Sequence, residues 1–429
     1  MIKHLLFLAA LSLALPACSS DKDERRETPD NPPIKKAEPI PLSVTESSFA
    51  SSCNDFSFNL FRQRLAADTE NKGVVISPLS VAYVLGMVNA GASGTTCEEI
   101  TTALGFGKGD KDAVNAFCAK MIEWAPKVDT TVTIQLANAF YYNTNHPTRP
   151  VVINADYAAT IAKFYEAQLL GLNFASSSAA GVINGWCNLH TNGMIPKIID
   201  ETKAEAVAYV LNAIYFKAIW ADKFDKDNTR KEQFTTAANI KKDVQMMNKT
   251  ADYGYMETDT YQAVRLPYGN GAYSMVVLLP KASAKLCEVL AGMDGAKWKT
   301  LTSSMDEREV ILKLPRFEID TSTDLIDLLK NLGIVRAFDA FNAEFDKIAD
   351  SGTLFISKMK QLARIEVNEE GTKAAAVTIA EMSYTTSVGP GPLPVEFYAD
   401  HPFAYFITEQ SSGAIFFMGT YEAPSNSPV

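Results

Sequence analysis

The sequence is poor in the residues that carry most metal and nucleophilic chemistry. It has 4 histidines and 6 cysteines in 429 residues, and no H-E-x-x-H or similar helical pair, so a zinc hydrolase would lack ligands. Cys53, Cys97, Cys118, Cys187 and Cys287 follow Cys18 without any C-x-x-C spacing. Neither a metal cage nor a disulfide framework is expected from them. No G-x-S-x-G elbow occurs. The run Gly105-Phe106-Gly107-Lys108-Gly109 lacks the G-x-x-x-x-G-K-[ST] order of a phosphate cradle and reads as a turn. Acidic residues lie in solvated runs such as Met305-Asp306-Glu307-Arg308-Glu309 and single out no catalytic carboxylate pair. Positive charge is short as well: 40 basic against 50 acidic side chains leave a formal net charge of −10, the wrong sign for generic nucleic-acid binding. No metal, no cofactor and no catalytic residue is expected, which weighs against a hydrolase with an unrecognised site.

What is present begins with a secretion signal at residues 1–17. Lys3 supplies the charged start, Leu5 to Leu15 the apolar core and Ala17 a small residue before the cut. Leu15-Pro16-Ala17-Cys18 resembles a lipobox, with Pro16 as a departure. Cys18 therefore reads as the lipidation site, against a free or disulfide-forming thiol. Residues 18–48 are rich in charge and proline at their start and read as a disordered tether. Ser19-Ser20-Asp21-Lys22-Asp23-Glu24 looks like an acidic surface-export signal. An outer-membrane lipoprotein on the cell surface is expected, with the periplasmic face as the alternative.

From 49 to 424 the texture is uniformly globular, without repeats or a second linker, and a single monomeric domain is expected. Helical spacing runs from Phe56 to Ala67 and from Leu79 to Ala90, the latter after Ser77-Pro78. Short apolar or alternating runs predict strands at Val132–Tyr142, Ala206–Phe216, Tyr273–Leu279, Val310–Phe317, Arg364–Val367 and Ile415–Tyr421. Without a regular βαβ beat, these elements predict an α+β fold on a large antiparallel or mixed sheet.

Several segments, in order, resemble one family. Gly73 to Ser80, then Asn89-Ala90-Gly91-Ala92-Ser93-Gly94-Thr95-Thr96, look like a second helix and its exit. Leu211-Asn212-Ala213-Ile214-Tyr215-Phe216-Lys217, with Trp220 and Phe224 behind it, resembles a central strand and its tryptophan. Ile365-Glu366-Val367-Asn368-Glu369-Glu370-Gly371-Thr372-Lys373-Ala374-Ala375-Ala376 resembles the hinge of a reactive-centre loop, and Phe397-Tyr398-Ala399-Asp400-His401-Pro402-Phe403 a signature after it. The family is the serpins. The resemblance implies a large central β-sheet with further sheets, about eight to nine helices and an exposed reactive-centre loop at about 369–396. It also implies a hinge at Glu369, Glu370, Gly371, Thr372, Ala374, Ala375 and Ala376, a shutter at Ser77, Ser80, Asn212 and Gln361, and a breach at Trp220.

Three residues depart from the pattern. Gln361 stands where many serpins carry a histidine that bonds to the residues matching Ser77 and Asn212; its amide can both donate and accept, but does not titrate. Lys373 replaces the commoner acidic residue, and Ala404 is small for the signature.

A serpin loop inserts into a sheet after cleavage, so alternate side chains must be buried. From Thr372 that set is Thr372, Ala374, Ala376, Thr378, Ala380 and Met382, all uncharged, whereas Lys373 and Glu381 fall on the other face. Counting from Glu369 puts the reactive bond at Thr385-Thr386, with a range to Gly389 when counted back from the signature. No Lys or Arg lies between Ala374 and Glu396. The expected function is a suicide-substrate inhibitor of serine proteases, elastase-like first, chymotrypsin-like or subtilisin-like next and trypsin-like poor. The alternative is a non-inhibitory serpin acting as a binding or chaperone-like module.

Overall fold

Ser43 and Glu46 form a reciprocal capping box, so helix α1 starts at Val44 and runs to Ala66. That start lies upstream of 49, and Ile40, ahead of the helix, is already 4% exposed in the core. The folded part thus takes in the end of the segment expected to be a tether. The computed structural model describes residues 36–69, 73–107, 110–148, 151–349, 354–372 and 393–424, all inside one unit spanning Lys35–Val429.

Among the described residues there are nine α-helices. After α1 come α2 (Pro78–Ala90), α3 (Gly94–Ala103), α4 (Lys111–Trp124), α5 (Ala155–Tyr165), α6 (Ala179–His190), α7 (Leu286–Ala291), α8 (Gly295–Ser303) and α9 (Ile326–Asn331). The strands are β1 (Gly73–Ile76), β2 (Thr133–Asn143), β3 (Gln168–Leu172), β4 (Ala208–Ile219), β5 (Arg230–Thr235), β6 (Lys241–Glu257), β7 (Tyr261–Tyr268) and β8 (Tyr273–Pro280). They continue with β9 (Asp306–Pro315), β10 (Phe317–Asp324), β11 (Lys358–Asn368), β12 (Gly371–Thr372), β13 (Val395–Tyr398), β14 (Phe403–Glu409) and β15 (Ile415–Tyr421). The expected α+β architecture is what the chain adopts.

Two mixed sheets organise the molecule. One has six strands in the order β10-β11-β12-β4-β2-β3; the other has nine, in the order β1-β15-β14-β8-β7-β6-β9-β13 with β5 on β6. β4 is buried on both faces, which explains its nearly unbroken apolar run. Val210, Ile214, Phe216 and Ala218 face the main core. Tyr209, Leu211, Ala213 and Tyr215 face a second core with Trp186 of α6. The predicted strand Val310–Phe317 is in fact two: β9 ends at Pro315, β10 begins at Phe317, and the two belong to different sheets.

Candidate functional site

β4 and β11 run parallel and pair only from Lys358↔Tyr209 to Leu362↔Ala213. Beyond that point each strand goes on, and the short β12 lies between their far ends. Its Thr372 pairs with Val367 of β11 and its Gly371 with Asn368, while the same two residues pair with Ala218 and Ile219 of β4. The sheet is therefore joined at one end and wedged at the other by two residues.

The wedge is held by packed and polar contacts. Thr372 is 1% exposed and its hydroxyl lies 2.7 Å from the Tyr268 hydroxyl. Tyr268 stacks on Trp220 at 4.5 Å between ring centroids. The Trp220 indole donates to the Asn368 carbonyl at 2.8 Å, and the Trp220 amide to the Glu370 carbonyl at 2.9 Å. Gly371 has a φ of 145°, and a Cβ there would run into the Ala218 carbonyl oxygen. Only glycine fits that approach without strain.

Two carboxylates fix the turn into β12. Glu369 has 3% of its side chain exposed and sits 2.5 Å from the Arg316 guanidinium; Thr229 donates to it at 2.7 Å. Burial alone would push this carboxyl up, but the bonds from Arg316 and Thr229 outweigh it and hold the group below the usual range. Glu370 is held low by hydrogen bonds from Lys223 and Lys226, at 2.7 and 3.0 Å.

A second polar cluster lies where β4 and β11 still pair. The Gln361 side chain accepts from the Ser77 amide and donates to the Ser77 carbonyl, both at 2.9 Å. Its amide nitrogen also lies 3.4 Å from Asn212 Oδ1. Ser80 donates to the same Asn212 oxygen, and Asn212 donates to Asn138 at 2.8 Å. All five side chains are at most 2% exposed, so the low-dielectric interior makes each bond costly to lose.

A family profile described as "Serpin (serine protease inhibitor)" matches residues 51–424. The chain is 31% identical over 388 residues to an uncharacterised serpin-like protein of Methanosarcina acetivorans, covering 89% of each. It is 32% identical to human serpin B8, covering 86% of this chain and 97% of that one. The native structure of the thermophilic serpin tengpin superposes with a TM-score of 0.80 at 28% identity, covering 91% of this chain and 97% of tengpin. The chain belongs to the serpin family. Serpins mostly inhibit proteases rather than catalyse reactions, and serine proteases are their general targets.

Within this serpin, Glu369, Glu370, Gly371, Thr372 and Trp220 lie together around β12. Ser77, Ser80, Asn212 and Gln361 form the other cluster. Gln361 does bridge Ser77 and Asn212, but it grips Ser77 through the backbone. The Ser77 hydroxyl is buried without a hydrogen-bond partner among the described residues and does not cap α2, although a serine before proline suggested a good helix start. Ala374, Ala375, Ala376, the bond Thr385-Thr386 and its range to Gly389, and Cys18 lie outside the described residues. Sequence reasoning named neither Asn138 nor Thr229, and it gave no role to Tyr268 and Arg316, which lie in segments resembling the family.

Proposed function

We propose that this serpin is a suicide-substrate inhibitor of serine proteases. The observation that carries the reading is the two-residue strand β12, seated between β4 and β11 and antiparallel to both. A strand that has begun to enter a sheet can enter further in the same register once β4 and β11 part ahead of it. Continuing Thr372↔Ala218 along β4 would set residue 374 opposite Phe216, 376 opposite Ile214, 378 opposite Asn212, 380 opposite Val210 and 382 opposite Ala208. These β4 residues, Asn212 apart, face the main core, and the chain offers them Ala374, Ala376, Ala380 and Met382. Thr378 brings its hydroxyl to the one polar position, Asn212.

In this mechanism the protease serine attacks the Thr385 carbonyl, the peptide bond to Thr386 breaks, and an ester joins the enzyme to Thr385. The new amino terminus stays with the part of the chain held by β13, β14 and β15 in the other sheet. The freed segment from 373 can then follow β12 between β4 and β11 and carry the esterified enzyme along. Insertion must outrun the protease's own deacylation.

The absence of Lys and Arg from Ala374 to Glu396 leaves nothing for the acidic pocket of a trypsin-like enzyme. Small residues around Thr385 to Val388 suit elastase-like enzymes first, and Tyr384 and Met382 admit chymotrypsin-like or subtilisin-like ones. We further place the inhibitor on a membrane surface through lipid on Cys18. Incubation with elastase, chymotrypsin, subtilisin and trypsin, followed by denaturing gels and mass spectrometry, tests the reading. Expected are a covalent complex and a released C-terminal peptide with elastase. Cleavage by every enzyme without a stable complex would favour a non-inhibitory serpin, and stoichiometric trapping of trypsin within this segment would contradict the target order.

A further inference from the structure

The joined end of the β4/β11 pair carries one contact that lies outside both the strand ladder and the Gln361 cluster. Just before the ladder begins, the Val207 amide donates to the Ser357 hydroxyl at 3.1 Å. The two residues belong to separately anchored halves of the sheet. The Val207 carbonyl accepts from Asn143 of β2 at 3.0 Å, so Val207 moves with β2 and β4. On the other side, the Ile356 amide donates to Ala337 at 3.0 Å and the Met359 carbonyl accepts from Leu325 at 2.9 Å, so Ser357 moves with β10 and β11. A side-chain hydroxyl thus spans the seam between two backbone-anchored units. Ser357 also lines a cleft of about 440 Å³ together with Ala206, Tyr209, Phe355 and Lys358.

We propose that Ser357 is a positioning residue, a clasp that sets how readily β4 and β11 part for an incoming strand. The inference rests on the inhibitor reading above. Val207 is 7% exposed, so its amide is satisfied by Ser357 only while the seam is shut. Removing the hydroxyl leaves a buried donor unpaired in the closed sheet and costs the open sheet nothing. The closed state loses, and opening speeds up. Gln361 lies four residues along the same strand, roughly 13 Å away, too far to share the Val207 amide, so the two contacts act as separate fastenings.

The test uses the full chain and a synthetic peptide with the sequence of residues 372–382, whose uptake is followed by native gel and by thermal midpoint. It requires no protease. Ser357→Thr and Ser357→Val are nearly equal in volume and differ by a hydroxyl against a methyl. S357T should take up the peptide at the wild-type rate, and S357V and S357A roughly threefold to tenfold faster, the factor one ordinary hydrogen bond supports. In protease assays the same variants should trap a larger fraction of enzyme per cleavage, with the rate of first cleavage unchanged. S357V/Q361A should show additive effects. Equal uptake by folded S357T and S357V would overturn the clasp. A wild type that takes up no peptide would overturn both the clasp and the inhibitor reading. Peptide uptake that obeys the T/V contrast without any protease complex would uphold the clasp and remove only the inhibitor reading.

Discussion

Glu369 shows how one buried charge can tie a loop to a sheet. Its carboxylate is nearly inaccessible yet ionised, because Arg316 and Thr229 donate to it. An unfolded Glu titrates near ~4.3, and the folded group titrates lower. The native state therefore gains stability that is complete above about pH 4.3 and is lost as pH falls through the lower folded value. Glu369→Gln removes the charge but keeps the shape, leaving Arg316 facing a neutral amide. The cost expected at neutral pH is about 1–3 kcal/mol, typical of a hydrogen bond to a charged group. Thermal denaturation of both forms checks it: the variant should melt several degrees lower at pH 7, and the gap should narrow as pH falls below the unfolded value and close once it has passed through the lower folded one. A gap that persists unchanged in acid would mean that Arg316 does not read the carboxylate's charge.

At the scale of elements, the length of β4 is what makes insertion a physical prospect. Its register with β12 leaves positions 208 to 217 as a template, and the alternation along that template decides which side chains are tolerated. Thr372 is the first buried position and already packs beneath Tyr268. Thr372→Arg should therefore turn the inhibitor into a substrate: the arginine would be expelled from the site that Thr372 fills in the uncleaved chain, and returning it to the sheet on insertion without a partner costs several kcal/mol. Lys373→Glu, on the opposite face of the alternation, should leave the yield of covalent complex near wild type. Counting complex against cleaved chain on a gel for both variants distinguishes them, and an unchanged complex yield for T372R would refute insertion. Much of this was legible in the sequence. The strand Ile415–Tyr421 has the bounds read from its apolar run, and Gly371 and Thr372 of the hinge that the family resemblance implied form β12, while the alanines after them lie outside the described residues. The break at Arg316 was not legible, because Pro315 ends β9 while Arg316 turns toward Glu369, a partner more than fifty residues away in sequence. Likewise β11 extends from Lys358, although only Arg364–Val367 looked strand-like; its alternating burial mixes lysines and glutamine into a run whose inner face only the sheet defines.

For the molecule as a whole, the junction between tether and body is what the sequence blurred most. The charge- and proline-rich stretch after Cys18 and the globular texture from about Phe49 placed the boundary near 49. The capping box and the burial of Ile40 move the folded edge upstream, and the Ile40 amide donates to Ser411 at 2.9 Å. We propose above that Cys18 carries lipid; it lies 18 residues before Lys36, the first described residue. Two consequences separate cleanly. Cys18→Ser should move the protein from the membrane fraction to the soluble fraction, because the acylation site is gone. The same variant should keep the wild-type thermal midpoint and the wild-type number of inhibitor molecules consumed per protease, because every described contact of the body begins at or after Lys36. Fractionation combined with mass spectrometry of the mature N-terminus reads the first, and calorimetry with titration against elastase reads the second. Continued membrane association of C18S, with no lipid detected on the wild type, would remove the anchor, and a shifted midpoint would show that the tether contributes to the folded body after all.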